Sequence, residues 1–176
     1  MDAKERFLIE HEAIARSHSS RTLFDHLVGT RALLIDWSVE TSISDAGLFH
    51  AVYGTESFPT AMVTTHLRGD VQTVIGCEAE FLAHAFGVMT KQSFYANLDQ
   101  SDGYHVISRL DGDEIPVSDT QLNALCHISV ANWLEQRPRV GSEHRFIRAI
   151  EFRKMLDRLN PRARAALATA YAFEGA

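Results

Sequence analysis

The chain has 176 residues, 45% of them hydrophobic, and a formal net charge of -6 at pH 7. This length and composition predict one domain with a single core. The acidic balance, with no cluster of Lys and Arg beyond Arg162 and Arg164, argues against nucleic acid as a partner. No apolar run is long enough for a signal sequence or a membrane span, so we expect a cytoplasmic protein that does not enter a membrane.

Cys77 and Cys126 lack C-x-x-C spacing and are predicted to be small core residues.

Patterns of helical spacing cover most of the chain, with capping residues or Pro at several helix starts. Helices are predicted over Thr22 to Trp37, Ser42 to Ala51, Pro59 to Leu67 (a brief turn), Asp70 to Phe86, Ser118 to Pro138, Ser142 to Leu159, and from Asn160 onward. Ser118 and Gln121 have the form of a capping box. Residues 104–117 read as two short strands around Asp111-Gly112, which predicts a hairpin. The sum is an all-α helical bundle of about seven helices with a small β-hairpin, in one domain over residues 1–176.

Three polar residues fall on the apolar faces of three different helices. His26 lies between Leu23 and Leu27, His50 follows an apolar run, and Asn132 lies within the apolar pattern of a later helix. Burying such a side chain without a partner costs about 1 to 3 kcal/mol, so the three residues must be bonded to each other, ligated, or exposed to a wet pocket. One interpretation is a His-His-Asn network that serves only the core. The other is a functional site where three helices converge.

Three stretches of the sequence carry a resemblance to a known superfamily. They are His18-Ser19-Ser20-Arg21 with Asp25-His26, then Ala46 to Val52, and then Val130 to Leu134. In order and spacing these stretches resemble the HD-domain superfamily, and within it the guanosine-alarmone hydrolases of the RelA/SpoT type. Those enzymes carry an H-x-G-Q-x-R element, an L-L-H-D-V element and an A-D-R-L element in the same order. The whole sequence is similar to a bacterial family of HD-like proteins of unknown function.

The resemblance assigns roles to individual residues. It implies that His26 and His50 are metal ligands and that Arg21 contacts a nucleotide. Ala51 stands where the family has the Asp of its His-Asp pair, and Asn132 stands in place of the last Asp. The metal motif is therefore degenerate, because two anionic ligands are missing.

The remaining donors favour some metals over others. Two imidazoles and the Asn132 amide suit a divalent transition metal such as Fe, Zn or Ni, whereas Mn and Mg would be held poorly. Glu56, six residues after His50, is the best substitute carboxylate, and with His26 and His50 it would form a 2-His-1-carboxylate set typical of Fe-dependent oxygenases. The alternative for Glu56 is a carboxylate at a helix start. No Walker A loop or dinucleotide glycine pattern occurs, so neither ATP nor NAD is expected.

Further candidates lie beside this group. His18, Arg21 and Asp25 could form an anion-recognising edge that binds a ligand, although a solvated helix start explains them equally well. Tyr53 could donate to a ligand from the turn after His50, or it could cap the core with its hydroxyl in water. Gln136 lies one helical turn after Asn132 and is a candidate for ligand binding.

Three functions remain open at this stage. The first is an enzyme that acts on a small polar or phosphorylated metabolite, with His26 and His50 as ligands or as acid-base groups. The second is a metal-free regulatory module whose pocket, edged by Arg21, binds a nucleotide or metabolite. The third is a structural partner, with a homodimer formed through the terminal helices. The missing carboxylates argue against classical alarmone hydrolysis, and the inward-facing His pair favours an enzyme.

Overall fold

A computed structural model describes residues 2–11, 17–18, 21–139 and 146–171. Across these ranges the α-helices are α1 (Ala3–Glu10), α2 (Leu23–Asp36), α3 (Thr41–Phe49), α4 (Arg68–Ile75), α5 (Cys77–Val88), α6 (Lys91–Ala96), α7 (Asp119–Gln136), α8 (Ala149–Met155) and α9 (Pro161–Tyr171). The strands are β1 (Ser17–His18), β2 (Arg21–Thr22), β3 (His105–Ile107) and β4 (Glu114–Pro116), paired antiparallel as β1 with β2 and β3 with β4. The predicted all-α class and the small hairpin are confirmed.

Helices α2, α3, α5 and α7 form the centre of the bundle. Helix α2 packs against α3 and α7, and α3 also packs against α5 and α7. Capping boxes fix the starts of two of these helices, between Thr22 and Asp25 for α2 and between Ser118 and Gln121, as predicted, for α7. These local hydrogen bonds set the first residues of α2 and α7.

Two segments depart from the predicted helices near the middle of the chain. The helix predicted from Asp70 to Phe86 is two helices, because Gly76 takes φ 84° and ψ 159°, a backbone conformation that only glycine adopts readily. The turn predicted from Pro59 is helical only over Thr65–Leu67, as a 3-10 turn. The break at Gly76 lets α5 change direction and pack its own apolar face on α3.

Other departures concern the ends of the chain and the cysteines. The helix predicted over Ser142 to Leu159 is α-helical over Ala149–Met155, followed by a 3-10 turn at Leu156–Arg158, and residues 142–145 lie outside the described ranges. Helices α1 and α6 were not predicted. Cys126 is buried, but Cys77 is exposed at the start of α5, so only one cysteine is a core residue. No helix within the described ranges combines the length and apolar character needed to cross a bilayer.

A fully buried carboxylate, Glu80 of α5, ties three segments together. It accepts hydrogen bonds from the Tyr53 hydroxyl at 2.8 Å, from Arg68 Nε at 2.7 Å and from Gln72 Nε2 at 2.9 Å. Burial acts to raise the pKa of the Glu80 carboxyl, but the hydrogen bonds from Arg68, Gln72 and Tyr53 outweigh it and hold that pKa below its usual value. Glu80 is therefore ionised in the folded state and fixes the turn after α3 against α4 and α5.

We expect Glu80→Gln to lower the free energy of unfolding at neutral pH by about 1–3 kcal/mol, because buried donors lose their charged acceptor. The pKa of Glu80 is lowered on folding, so the wild-type advantage is complete above the usual carboxyl value of 4.5 and fades as the pH falls through the lower folded pKa. Urea unfolding of both proteins from pH 7 to pH 3 measures this difference. Glu78→Gln, an exposed change on the same helix, is the control, and an equal loss in the two variants contradicts the assignment.

Candidate functional site

A cleft opens between α2, α5, α6 and α7, the end of α3 and the turn before α8. It contains about 770 Å³ of empty volume, part of which is open to solvent. Its lining residues are His26, His50, Ala51, Thr55, Glu56, Ser57, Phe58, Phe86, Met89, Lys91, Phe94, Tyr95, Ser129, Asn132, Trp133, Gln136 and Arg148. We call it the central cleft. Five residues singled out in the sequence as site residues, namely His26, His50, Glu56, Asn132 and Gln136, line it together.

The two histidines meet edge to edge at the wall of the cleft. His26 of α2 and His50, the residue that ends α3, are only 1% and 2% exposed, and their Nε2 atoms lie 3.3 Å apart. The rings are nearly perpendicular, at 87°, and Phe86 packs edge-on against the other side of the His50 ring. Packing therefore fixes both ring orientations.

Each imidazole has an acceptor at its other nitrogen. His26 Nδ1 lies 2.5 Å from Glu135 Oε2, and His50 Nδ1 lies 2.7 Å from the Gly47 carbonyl oxygen. A carboxylate and a carbonyl can only accept, so both Nδ1 atoms carry hydrogen. The neutral forms of both rings then turn the Nε2 lone pairs toward each other. A proton or a metal ion placed between the two nitrogens would reduce the repulsion between these lone pairs.

Glu135 reaches His26 because α2 has no side chain at Gly29. A Cβ built on Gly29 would lie 2.8 Å from Glu135 Cγ and 3.0 Å from Glu135 Oε1. Gly29 follows His26 by three residues, so the two share a face of α2. The Glu135 side chain thus lies flat against α2, directly beside the imidazole that it holds.

His26 and Arg139 keep Glu135 ionised. Arg139 Nη2 lies 2.5 Å from the same Oε2 atom that accepts from His26. Burial acts to raise the pKa of the Glu135 carboxyl, but the hydrogen bond and charge of His26, and then those of Arg139, outweigh it and hold that pKa below its usual value. A buried negative charge is therefore available to stabilise positive charge on the histidine pair.

Asn132 and Gln136 interact with each other on α7. Gln136 Nε2 donates to Asn132 Oδ1 at 2.8 Å and to the Asn132 carbonyl at 3.0 Å. Both residues are half-buried on the cleft wall. Asn132 Oδ1, the atom that would bind a metal, is thus already engaged by a neighbouring side chain.

The Glu56 and Tyr53 side chains each interact with a residue other than the two histidines. Glu56 is exposed at the cleft rim, where Oε2 lies 3.7 Å from Lys91 Nζ and Oε1 accepts from the Lys91 backbone N–H at 3.4 Å. Glu56 thus pairs with a lysine and not with an imidazole. Tyr53 is buried outside the cleft lining, and its hydroxyl donates to Glu80 because that buried carboxylate needs donors.

The predicted anion-recognising edge falls partly outside the described structure. His18 and Arg21 belong to β1 and β2, but their side chains lie outside the described part of the chain. Asp25 is described, and its carboxylate accepts hydrogen bonds from the Thr22 hydroxyl at 2.8 Å and from the Thr22 backbone N–H. This capping interaction at the start of α2 is compatible with both interpretations of Asp25, and the anion-recognising edge stays a prediction.

Sequence reasoning missed Glu135, although a signal for it exists. Glu135 lies three residues after Asn132, so the two share a face of α7. A glycine three residues after His26 on α2 makes room for a long side chain from the facing helix. These two spacings are compatible with a carboxylate beside His26, but they do not by themselves specify how α2 and α7 dock.

The donor set fits a borderline transition metal. Two ligands of a tetrahedral zinc ion with Zn–N bonds of about 2.0–2.1 Å lie about 3.3–3.4 Å apart, which matches the Nε2 separation of 3.3 Å. The acceptors at both Nδ1 atoms are those that orient histidine ligands in metal sites. Within the described ranges, however, no group of three or more His, Cys, Asp or Glu side chains is placed to hold one ion. Among the described residues, His26 and His50 would therefore supply two ligands, with Asn132 as the candidate third.

Comparisons with known proteins bear on the fold. Residues 7–91 match the model of a family described as a domain of unknown function (DUF6817). No curated protein matches the sequence. Among solved structures, the chain is similar to the metazoan protein described as "A metazoan ortholog of SpoT hydrolyzes ppGpp and plays a role in starvation responses". The TM-score is 0.60 at 13% sequence identity, over 99% of this chain and 97% of that one. The HD-like fold predicted from the three motifs is thereby confirmed.

We expect Gly29→Ala to destabilise the protein, because the added methyl group displaces the buried Glu135 side chain and overpacking of this kind costs about 1–3 kcal/mol. The matched control is Gly69→Ala in α4, where an added Cβ meets nothing within 4 Å. This control should stabilise the protein by about 0.5–1 kcal/mol through helix propensity. Chemical unfolding measures both changes. If the two substitutions shift stability in the same direction, the close contact between Gly29 and Glu135 is absent.

Proposed function

We propose that this HD-like protein is an enzyme that binds a small molecule in the central cleft and carries out hydrolase-like chemistry on it with the His26 and His50 pair. The observation that carries this proposal is the 3.3 Å approach of two Nε2 atoms at the cleft wall, each ring being held by an acceptor at Nδ1. A network that serves only the core does not require both histidines to line a cleft, as His26 and His50 do.

The histidine pair supports proton transfer. Glu135 holds His26 in the form with hydrogen on Nδ1 and stabilises the positive charge that appears when Nε2 takes a proton. His50 Nε2 is the neighbouring acceptor, so a proton taken by one ring can be shared with the other. The dyad of His26 and Glu135 would thus act as the general base toward a nucleophile in the cleft, with His50 as its partner.

The same atoms support metal binding. His26 and His50 would hold a divalent transition metal such as Zn, Fe or Ni, with Asn132 as the candidate third ligand. When bound, the metal polarises a substrate oxygen or lowers the pKa of water. Glu135 and the Gly47 carbonyl would orient the two ligand rings from behind, and Phe86 would exclude water from the far side of His50.

Classical alarmone hydrolysis is not part of the proposal. The structurally similar protein is described as hydrolysing ppGpp, but that similarity concerns the fold. This chain has Ala51 and Asn132 where the alarmone hydrolases have carboxylates. Phosphoryl chemistry with Mg or Mn needs those oxygen ligands, so a smaller and less charged substrate suits the site better.

A metal-free binding module is the second candidate. The observation in its favour is that Glu56, the carboxylate expected to complete a metal set, pairs with Lys91 at the cleft rim. The histidine pair would then contact a bound ligand without transforming it.

We expect Zn(II), titrated into protein purified without a tag and treated with EDTA, to bind with a stoichiometry of one. His26→Ala and His50→Ala should each abolish this binding, because each removes one of two nitrogen ligands. Glu135→Gln should weaken it about 10- to 100-fold, as losses of partners behind metal ligands generally do. Calorimetry gives the affinity, and turnover of chromogenic small esters and phosphoesters is measured on the same samples.

His66→Ala, an exposed histidine outside the cleft, is the matched control and should bind Zn(II) as the wild type does. Equal zinc affinity in wild type, His26→Ala and His50→Ala would contradict a metal role for the pair. Turnover that survives both His substitutions would contradict their role in the chemistry.

A further inference from the structure

We propose that the central cleft binds an organic monoanion, with the carboxylate of the ligand at Arg148 and an aromatic or apolar body between Phe86, Phe94 and Trp133. This proposal rests on the proposed function, because it names the class of ligand that the same cleft receives. It is carried by the chemistry of the cleft walls, by the pairing of their charges and by the conformation of Arg148.

Aromatic side chains form much of the cleft wall. Phe86 of α5, Phe94 of α6 and Trp133 of α7 come from three helices, and each is less than 10% exposed. Met89 adds a flexible apolar surface between α5 and α6. Such walls favour binding of a planar or apolar group. They do not favour a sugar, because its hydroxyl groups would lose their hydrogen bonds to water without gaining partners on the protein.

The cations of the cleft differ in how they are paired. Lys91 contacts Glu56 at 3.7 Å and donates to the Ser57 hydroxyl. The imidazole of His26 bonds to the Glu135 carboxylate. Arg148, in contrast, makes no ion pair with any carboxylate of the described residues. Among those residues, Arg148 is therefore the cation of the cleft wall that has no carboxylate partner.

Arg148 is held in place by its surroundings. Its φ of 61° puts it in the left-handed region, which costs a residue with a side chain about 1–2 kcal/mol. Its guanidinium group lies over the Trp133 ring, 5.8 Å from the centroid. Strained residues persist where the structure holds them, and they concentrate at ligand sites. The arginine fork is thus positioned beside the aromatic wall before any ligand arrives.

The positive charge of Arg148 also acts on Lys91, another residue that lines the cleft. Burial lowers the pKa of the Lys91 amine, and the positive charge of Arg148 lowers it further. An anion between the two residues would relieve this repulsion.

One cation without a carboxylate partner among the described residues matches one negative charge on a ligand. A carboxylate accepts two parallel hydrogen bonds from an arginine fork, and this pairing is both strong and directional. A phosphate dianion would bring a second negative charge to a cleft in which Lys91 already faces Glu56. The body of a ligand anchored in this way lies among the aromatic rings, which share the cleft with the histidine pair.

The test is calorimetry with four probes on the 176-residue protein after treatment with EDTA. These are 3-phenylpropionate, its neutral amide, acetate and phenyl phosphate. We expect 3-phenylpropionate to bind at least about tenfold more tightly than the other three, because only it combines one charge with an aromatic body. Tighter binding of phenyl phosphate would overturn the match to a monoanion.

Two substitutions and one control locate the binding site. Arg148→Asn removes the charge but keeps a residue that tolerates positive φ, and it should weaken binding of 3-phenylpropionate at least about tenfold. Arg148→Lys keeps the charge but loses the fork and should give a smaller loss. Lys154→Asn, an exposed change on α8 outside the cleft, should leave binding unchanged. Unaltered binding in Arg148→Asn would overturn the proposal, and so would an equal loss in Lys154→Asn.

Failure of this proposal and failure of the proposed function can be told apart. Binding of 3-phenylpropionate that depends on Arg148 and persists in His26→Ala supports the anion site, even if the enzyme shows no turnover. Metal binding or turnover that depends on His26, without any binding of 3-phenylpropionate, supports the enzyme and overturns the anion site.

Discussion

The contact between Glu135 of α7 and His26 of α2 is the interaction on which the site depends. It places an ionised carboxylate inside the core, where it would be costly without the imidazole and the Arg139 guanidinium that face it. It also determines which nitrogen of His26 is turned toward His50. Gly29 leaves room for this contact, because a Cβ at that position would lie 2.8 Å from Glu135 Cγ. The absence of a side chain at Gly29 therefore allows α7 to pack against α2 with Glu135 beside His26.

The cleft that results has two distinct ends. At one end His26 and His50 form a buried pair beside the ionised Glu135 carboxylate. At the other end Arg148, which has no carboxylate partner among the described residues, lies over the Trp133 ring. In the proposals made above, a ligand would bind through its anion at Arg148 and present another part of itself to the histidines. The fold is HD-like, but the groups that would do the chemistry differ from the metal-ligating carboxylates of the alarmone hydrolases.

Much of the fold could be predicted from local sequence patterns. The bounds of α2, α3 and α7 follow from apolar spacing and capping residues, and the hairpin follows from its turn. The break at Gly76 could not be predicted, because a glycine inside an apolar helical pattern is compatible with either one helix or two.

The site was only partly predictable because its pairings are not local. The sequence indicated that His26, His50 and Asn132 face inward, but not that Glu135 would occupy the space left by Gly29. Likewise, Tyr53 follows His50 closely in sequence, yet its hydroxyl bonds to Glu80, which lies 27 residues later in the chain. Such partners depend on how the helices dock, and helix spacing alone does not specify that.

The hydrogen positions on the two imidazoles test the account most directly. Nitrogen-edited NMR of the wild-type protein with ¹⁵N-labelled histidine reports which ring nitrogens carry hydrogen, with His26→Ala and His50→Ala used for assignment. The account predicts hydrogen on Nδ1 of both His26 and His50, with that of His26 strongly deshielded by Glu135. If either ring carries its hydrogen on Nε2 and has a bare Nδ1, the two lone pairs do not converge and the account is contradicted.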